Sequence, residues 1–116
     1  MKILSVSRGR ADAGILAPVW QALVAMTAVD LHIFLTGMHA KQNPGTTEFT
    51  WLENATVHRG GNDLGGGTGS VAGIAMAEIS RSMASLCDSI APDRILLIGD
   101  RLDMIPAAMG SLPFNI

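Results

Sequence analysis

The sequence predicts an α/β domain with a parallel sheet and helices on both faces, on three observations. Short apolar runs of strand character alternate with longer stretches whose apolar residues recur at helical spacing, the pattern of βαβ units. Ile95-Leu96-Leu97-Ile98 is apolar at every position, as in a strand covered by helices on both sides. Glycines and charged residues gather directly after the strand-like runs, where open α/β sheets bind ligands.

Taken in order, Lys2 to Ser7 reads as the first strand, with Ile3, Leu4 and Val6 apolar. Asp12 can cap the helix that follows, and Ile15, Val19, Leu23 and Met26 recur on one helical face. Pro18 cannot donate to the preceding turn, so an irregular first turn and a regular helix from about Ala17 are expected. Val29 to Thr36 is the second strand, Thr46 to Glu53 a short helix, and Ala55 to His58 a short third strand. The glycine-rich stretch Gly60 to Gly69 is expected to be mobile, since glycine favours the unfolded chain over any fixed loop. Val71, Ala75, Ile79, Met83, Leu86 and Ile90 form the clearest helical stripe, which Pro92 ends by excluding the α region from Ala91. Arg94 to Gly99 is the fourth strand, and a last helix runs from about Asp103 to Gly110. Right-handed crossovers then give the spatial order 3-2-1-4, with any fifth strand beside the fourth. Leu112 to Ile116 reads as the opening of that fifth strand, so residues 1–116 are expected to be part of a longer protein.

Composition narrows the function. A chain of 116 residues that is 48% hydrophobic forms one domain at most and is not disordered. No apolar run spans a bilayer, and Met1 to Ser5 lacks the apolar region of a signal peptide, so no membrane partner is expected. A formal net charge of −2 leaves no electrostatic footprint for nucleic acid. Cys87 is the only cysteine, which excludes an internal disulfide and fits a reducing cytoplasm; lying within a helical pattern, it is expected simply to pack. His39 and His58 lack metal-ligand spacing and there is no cysteine pair, so neither metal nor cofactor is expected. His32 and His58 fall within strands and carry no assigned role. Gly66-Gly67-Thr68-Gly69-Ser70 opens a helix like a phosphate loop but lacks its lysine, and no nucleophile elbow is present.

The chemistry is expected at the carboxyl ends of strands one and four, where the following helices diverge to opposite faces. Strand one leads into Arg8-Gly9-Arg10-Ala11-Asp12, and strand four into Gly99-Asp100-Arg101-Leu102-Asp103. Guanidinium groups and helix N-termini together match phosphate oxygens, so a phosphate-bearing ligand is the physical inference. The plainer alternative is that Arg10 or Arg101 pairs with Asp100 across the strands. His39, after strand two, either takes part in acid–base or ligand contacts or orders its own loop.

Four segments together resemble the beginning of the UDP-N-acetylglucosamine 2-epimerase family, more closely its hydrolysing branch. They are Arg10-Ala11-Asp12 with Gly14, Thr36-Gly37-Met38-His39, Ala91-Pro92-Asp93, and Gly99-Asp100-Arg101 followed by Asp103 where a glutamate is usual. Departures are Arg8-Gly9 in place of the usual Gly-Thr, Ala13 where a tyrosine is common, and the glycines of 60–69. The resemblance covers the whole chain and about the first third of such an enzyme. It implies a partial Rossmann-like N-terminal domain of a two-domain, glycosyltransferase-B-type fold, whose UDP-binding C-terminal domain is not part of residues 1–116. It further implies removal of the proton at sugar C2 and elimination of UDP from a UDP-sugar substrate, with ManNAc-type products in sialic-acid-like pathways. By position, Asp100 and Asp103 would be catalytic, and Arg10, Arg101 and His39 would bind substrate. A homo-oligomer is expected, and residues 1–116 by themselves are expected to self-associate through the C-terminal edge at Phe114 to Ile116. The alternatives are another two-domain nucleotide-sugar enzyme, such as a glycosyltransferase, and a non-catalytic α/β binding domain.

Overall fold

The computed structural model describes residues 1–41, 53–63, 68–99 and 101–116. Its elements in chain order are β1 (Lys2–Ser7), α1 (Arg10–Val24), β2 (Asp30–Leu35), a 3-10 turn (Gly37–Lys41), β3 (Ala55–Arg59), α2 (Gly69–Ile90), β4 (Arg94–Leu96), α3 (Met104–Ser111) and a 3-10 turn (Leu112–Phe114). The four strands pair in parallel in the order β3-β2-β1-β4, as the alternation of elements predicts. The short helix expected over Thr46–Glu53 lies, up to its last residue, outside the described residues.

Alternation along β1 and β2 divides the core into two layers. On one face Leu4, Val6 and Phe34 pack against Ile79, Met83, Cys87 and Ile90 of α2 and Met104 and Ala107 of α3. On the other, Ile3, Leu31, Ile33 and Leu35 meet Ala13, Leu16 and Trp20 of α1. Each successive residue of a strand serves the opposite layer, which is why β1 is buried from Ile3 to Ser7. Cys87 is buried within this packing, and burial pushes its thiol pKa up, so it behaves as a small apolar side chain.

Several local expectations change. Helix α1 is continuous from Arg10 through Pro18, with Gly9 rather than Asp12 at its N-cap. Pro18 forfeits one backbone bond, and the packed face of the helix outweighs that loss. This face is Ala13, Leu16 and Trp20, whereas Ile15, Val19 and Met26 are exposed. Trp20 decides the rotation: its indole is fully buried and Nε1 donates to Ser5 Oγ at 2.8 Å, which satisfies a hydroxyl inside the sheet. In α2 the stripe holds from Ala75 onward, with Val71 exposed at its start. Strand β4 ends at Leu96 instead of Gly99, and it pairs with β1 only over Ile3 to Ser5. Leu112 opens a 3-10 turn rather than a fifth strand: Pro113 has no amide to give a ladder, and Asn115 turns the backbone at φ +54°.

The amino end of the sheet is tied by reciprocal contacts. The Lys2 amide donates to Asp93 Oδ2 at 2.7 Å, and the Asp93 amide donates to the Lys2 carbonyl at 2.9 Å. Lys2 Nζ donates to the Ile90 carbonyl at 3.0 Å, closing the last turn of α2 where Ala91 takes a left-handed conformation (φ +51°). Pro92 enforces that exit, as the sequence predicts.

Candidate functional site

Because α1 and α3 lie on opposite faces of the sheet, β1 and β4 form the topological switch point, with polar residues at their carboxyl ends. Arg8 immediately follows β1. Its Nε lies 3.2 Å from Asp12 Oδ2 on α1 and 3.4 Å from Asp103 Oδ1 at the N-cap of α3. The Arg8 amide also donates to Asp12 Oδ2 at 3.3 Å, and its Nη2 to Asp12 Oδ1 at 3.4 Å. One guanidinium therefore joins the two helices across the switch point. The side chains are largely shielded, with 20% of Arg8, 9% of Asp12 and 13% of Asp103 exposed, so the charges act through less solvent than on an open surface.

The neighbouring strand end completes the rim. Gly37 adopts φ +60°, and a Cβ built there would approach the Arg8 carbonyl at 3.3 Å and Asp103 Oδ2 at 3.6 Å. A side chain at this position would thus be strained and would press on the Arg8 carbonyl. The His39 amide donates to the carbonyls of Arg8 (3.2 Å) and Thr36 (3.1 Å). Its ring is 1% exposed, with Nδ1 3.1 Å from Ser7 Oγ. The Ser7 hydroxyl also reaches the Gly9 carbonyl at 3.2 Å, so Ser7 ties the His39 ring to the turn that opens α1. Arg59 Nη1, at the end of β3, donates to the His39 carbonyl at 3.0 Å and anchors the 3-10 turn from the far side.

Of the residues expected to carry chemistry, Asp103 and His39 thus stand on one rim. Arg10 opens α1 beside them with an exposed side chain, and Arg101 is exposed two residues before Asp103. Asp100 lies outside the described residues. Cross-strand pairing does occur at the switch point, through Arg8 and Asp103. Sequence reasoning left Arg8 without a role; its signal was position, since it follows the last strand residue directly and so lies deeper than Arg10. His32 and His58 form a separate pair on β2 and β3, with His32 Nδ1 3.0 Å from His58 Nε2 and the rings stacked at 5.3 Å. A cavity of about 300 Å³ lined by Cys87, Asp88, Ala91, Pro92, Phe114 and Ile116 sits near the start of β4, away from the rim. Among the described residues there is no group of three or more metal-ligating side chains, and no helix is long and apolar enough to cross a membrane.

Comparison with known proteins bears on the family and the fold. No protein-family model matches the chain. A UDP-N-acetylglucosamine 2-epimerase of Neisseria meningitidis is 34% identical over 96% of this chain and 29% of its own length. A hydrolysing UDP-N,N'-diacetylbacillosamine 2-epimerase of Legionella pneumophila is 28% identical over 99% of this chain and 31% of its own length. The chain is homologous to the amino-terminal third of these 2-epimerases. The crystal structure of a Neisseria meningitidis UDP-GlcNAc 2-epimerase bound to UDP-GlcNAc superimposes with a TM-score of 0.74 at 20% identity, over all of this chain and 30% of that one, which shows a common fold. The chain spans about 30% of the 2-epimerases it matches. Arg8, in the segment noted above as a departure from the family pattern, is the residue that bridges the two helices.

Proposed function

We propose that residues 1–116 form the amino-terminal, Rossmann-like part of a cytoplasmic UDP-N-acetylglucosamine 2-epimerase of the hydrolysing type. It would act on UDP-GlcNAc or a related UDP-sugar, release UDP and give a ManNAc-type product for sialic-acid-like pathways. The observation that supports this reading is the 34% identity over 96% of this chain to a UDP-N-acetylglucosamine 2-epimerase, together with the polar rim at the β1/β4 switch point where Asp103 stands. Removal of the C2 proton needs a carboxylate or imidazole base, and departure of a doubly charged leaving group needs cations beside it. Asp103, with Asp100, supplies the carboxylates; Arg10 and Arg101 supply cations at the mouth, next to the α1 and α3 N-termini. His39, locked by Ser7, Arg8 and Arg59, shapes the floor. The second domain of the relatives' fold would face this rim and hold the uridine diphosphate.

The test is to incubate the full-length protein with UDP-GlcNAc and follow UDP and free sugar together. UDP release with N-acetylmannosamine supports the hydrolysing reading. Interconversion of the two UDP-sugars without loss of UDP assigns the non-hydrolysing reaction instead. Transfer of the sugar to an acceptor with retention of no free sugar would move the protein among the glycosyltransferases.

A further inference from the structure

We propose that Arg8 is a positioning residue of this site: it aims the Asp103 carboxylate over the crevice and sets the rate of the reaction, without contributing to substrate affinity. The inference rests on the epimerase reading above and adds to it a residue that the shared segments do not include. Asp12 and Asp103 belong to helices packed on opposite faces of the sheet, and the charge of Arg8 reaches both carboxylates. Arg8 is the link, with Nε between Asp12 Oδ2 (3.2 Å) and Asp103 Oδ1 (3.4 Å). Its backbone is fixed at the same time, by its amide to Asp12 and by its carbonyl from the His39 amide. The guanidinium thus starts from a rigid strand end and reaches a residue that caps α3 without any side-chain hydrogen bond to that helix.

The contacts leave Asp103 suited to act on a ligand. Asp103 Oδ1 and Arg8 Nε are both buried, and neither makes a hydrogen bond of good geometry, so their attraction orients the carboxylate without saturating it. Oδ2 lies by Gly37, where the missing side chain leaves the approach open. Lysine reproduces the arrangement only in part, because an ammonium keeps the charge but not the planar group whose Nε and Nη2 meet Asp12 while Nε faces Asp103. A residue that acts only through Asp103 must lose its influence when Asp103 is neutralised, and this separates positioning from direct phosphate binding.

The experiment is a double-mutant cycle in the full-length protein, reading kcat and KM for UDP release from UDP-GlcNAc with Arg8→Gln, Arg8→Lys, Asp103→Asn and the Arg8→Gln/Asp103→Asn pair. Thermal midpoints of all four are measured, and assays run well below the lowest. Arg8→Gln is expected to lower kcat by about tenfold or more with KM within about twofold, and Arg8→Lys to recover part of that loss. The double variant is expected to be no slower than Asp103→Asn alone. Multiplicative losses in the double variant would overturn the proposal, as would a raised KM at unchanged kcat, which marks a substrate contact. Full activity of Arg8→Gln despite a lowered midpoint assigns a merely structural role and also overturns it. If the unmodified protein releases no UDP from UDP-GlcNAc, the epimerase reading falls and takes this proposal with it, an outcome distinct from all the others.

Discussion

At the scale of single residues, Arg8 shows why the site was only half legible. The segments after strands one, two and four pointed to the carboxyl rim of the sheet, because a residue directly after a parallel strand must lie at its carboxyl end. They did not show which arginine turns inward. That depends on where α1 begins: the helix starts at Arg10, which places Arg10 on its exposed first turn and leaves Arg8 as the last residue on the sheet axis. The two strand histidines were legible as strand residues but not as a pair, since their contact depends on the register that sets Phe34 opposite His58. Burial, and then the neighbouring His32, hold the His58 pKa below its ordinary 6.5. The unfolded chain therefore takes up this proton at a higher pH than the folded chain does. The stability tied to a neutral His58 is complete above pH 6.5 and is lost as pH falls through the lower folded value. We expect the thermal midpoint to drop between about pH 7.5 and about pH 5.5, with a shallower drop in His58→Asn. Equal slopes for the two proteins would remove His58 as the cause.

Among elements, α2 and α3 approach closely at Gly110. A Cβ built at Gly110 would collide with the Ser80 carbonyl and with Met83 Cβ, so α3 can lie this close to α2 only with glycine there. We expect Gly110→Ala to destabilise the fold by about 1–3 kcal/mol, the usual cost of overpacking, in chemical denaturation. A change below a few tenths would mean that the helices part easily. This contact illustrates what periodicity conveys and what it omits. The stripe in α2 was readable because Ala75, Ile79, Met83 and Ile90 repeat over a long helix with few competing apolar residues. In α1 two apolar stripes compete, and Ile15, Val19 and Met26 look as good as Ala13, Leu16 and Trp20. The Trp20 indole bonding to Ser5 decides between them, a tertiary contact that no helical pattern contains. The strand order followed from chirality and alternation alone, whereas strand length did not, because β4 extends only as far as its neighbour pairs with it.

For the whole molecule, α3 and the turns on either side of it present Leu102, Ile105, Met109 and Leu112 to solvent, at 60%, 47%, 57% and 71% exposure. This is a helical face and not the strand edge expected from Leu112 to Ile116, so association should proceed by side-chain burial and not by ladder pairing. Fully burying such side chains is worth roughly 1.5–3 kcal/mol each, enough in combination to offset the cost of association. We expect residues 1–116 to sediment as a dimer or larger species at micromolar concentration, and Ile105→Lys with Met109→Lys to return a monomer. A monomer before substitution would show this face to be inert. The central claim is that the β1/β4 rim removes the proton at sugar C2, and one measurement reaches it directly. The full-length protein is incubated with UDP-GlcNAc in deuterium oxide, and the C2 proton is followed by NMR. Deuterium should enter C2 of the released sugar, and Asp103→Asn should slow its entry in step with UDP release. Release of UDP with the C2 proton fully retained would contradict proton abstraction at this rim.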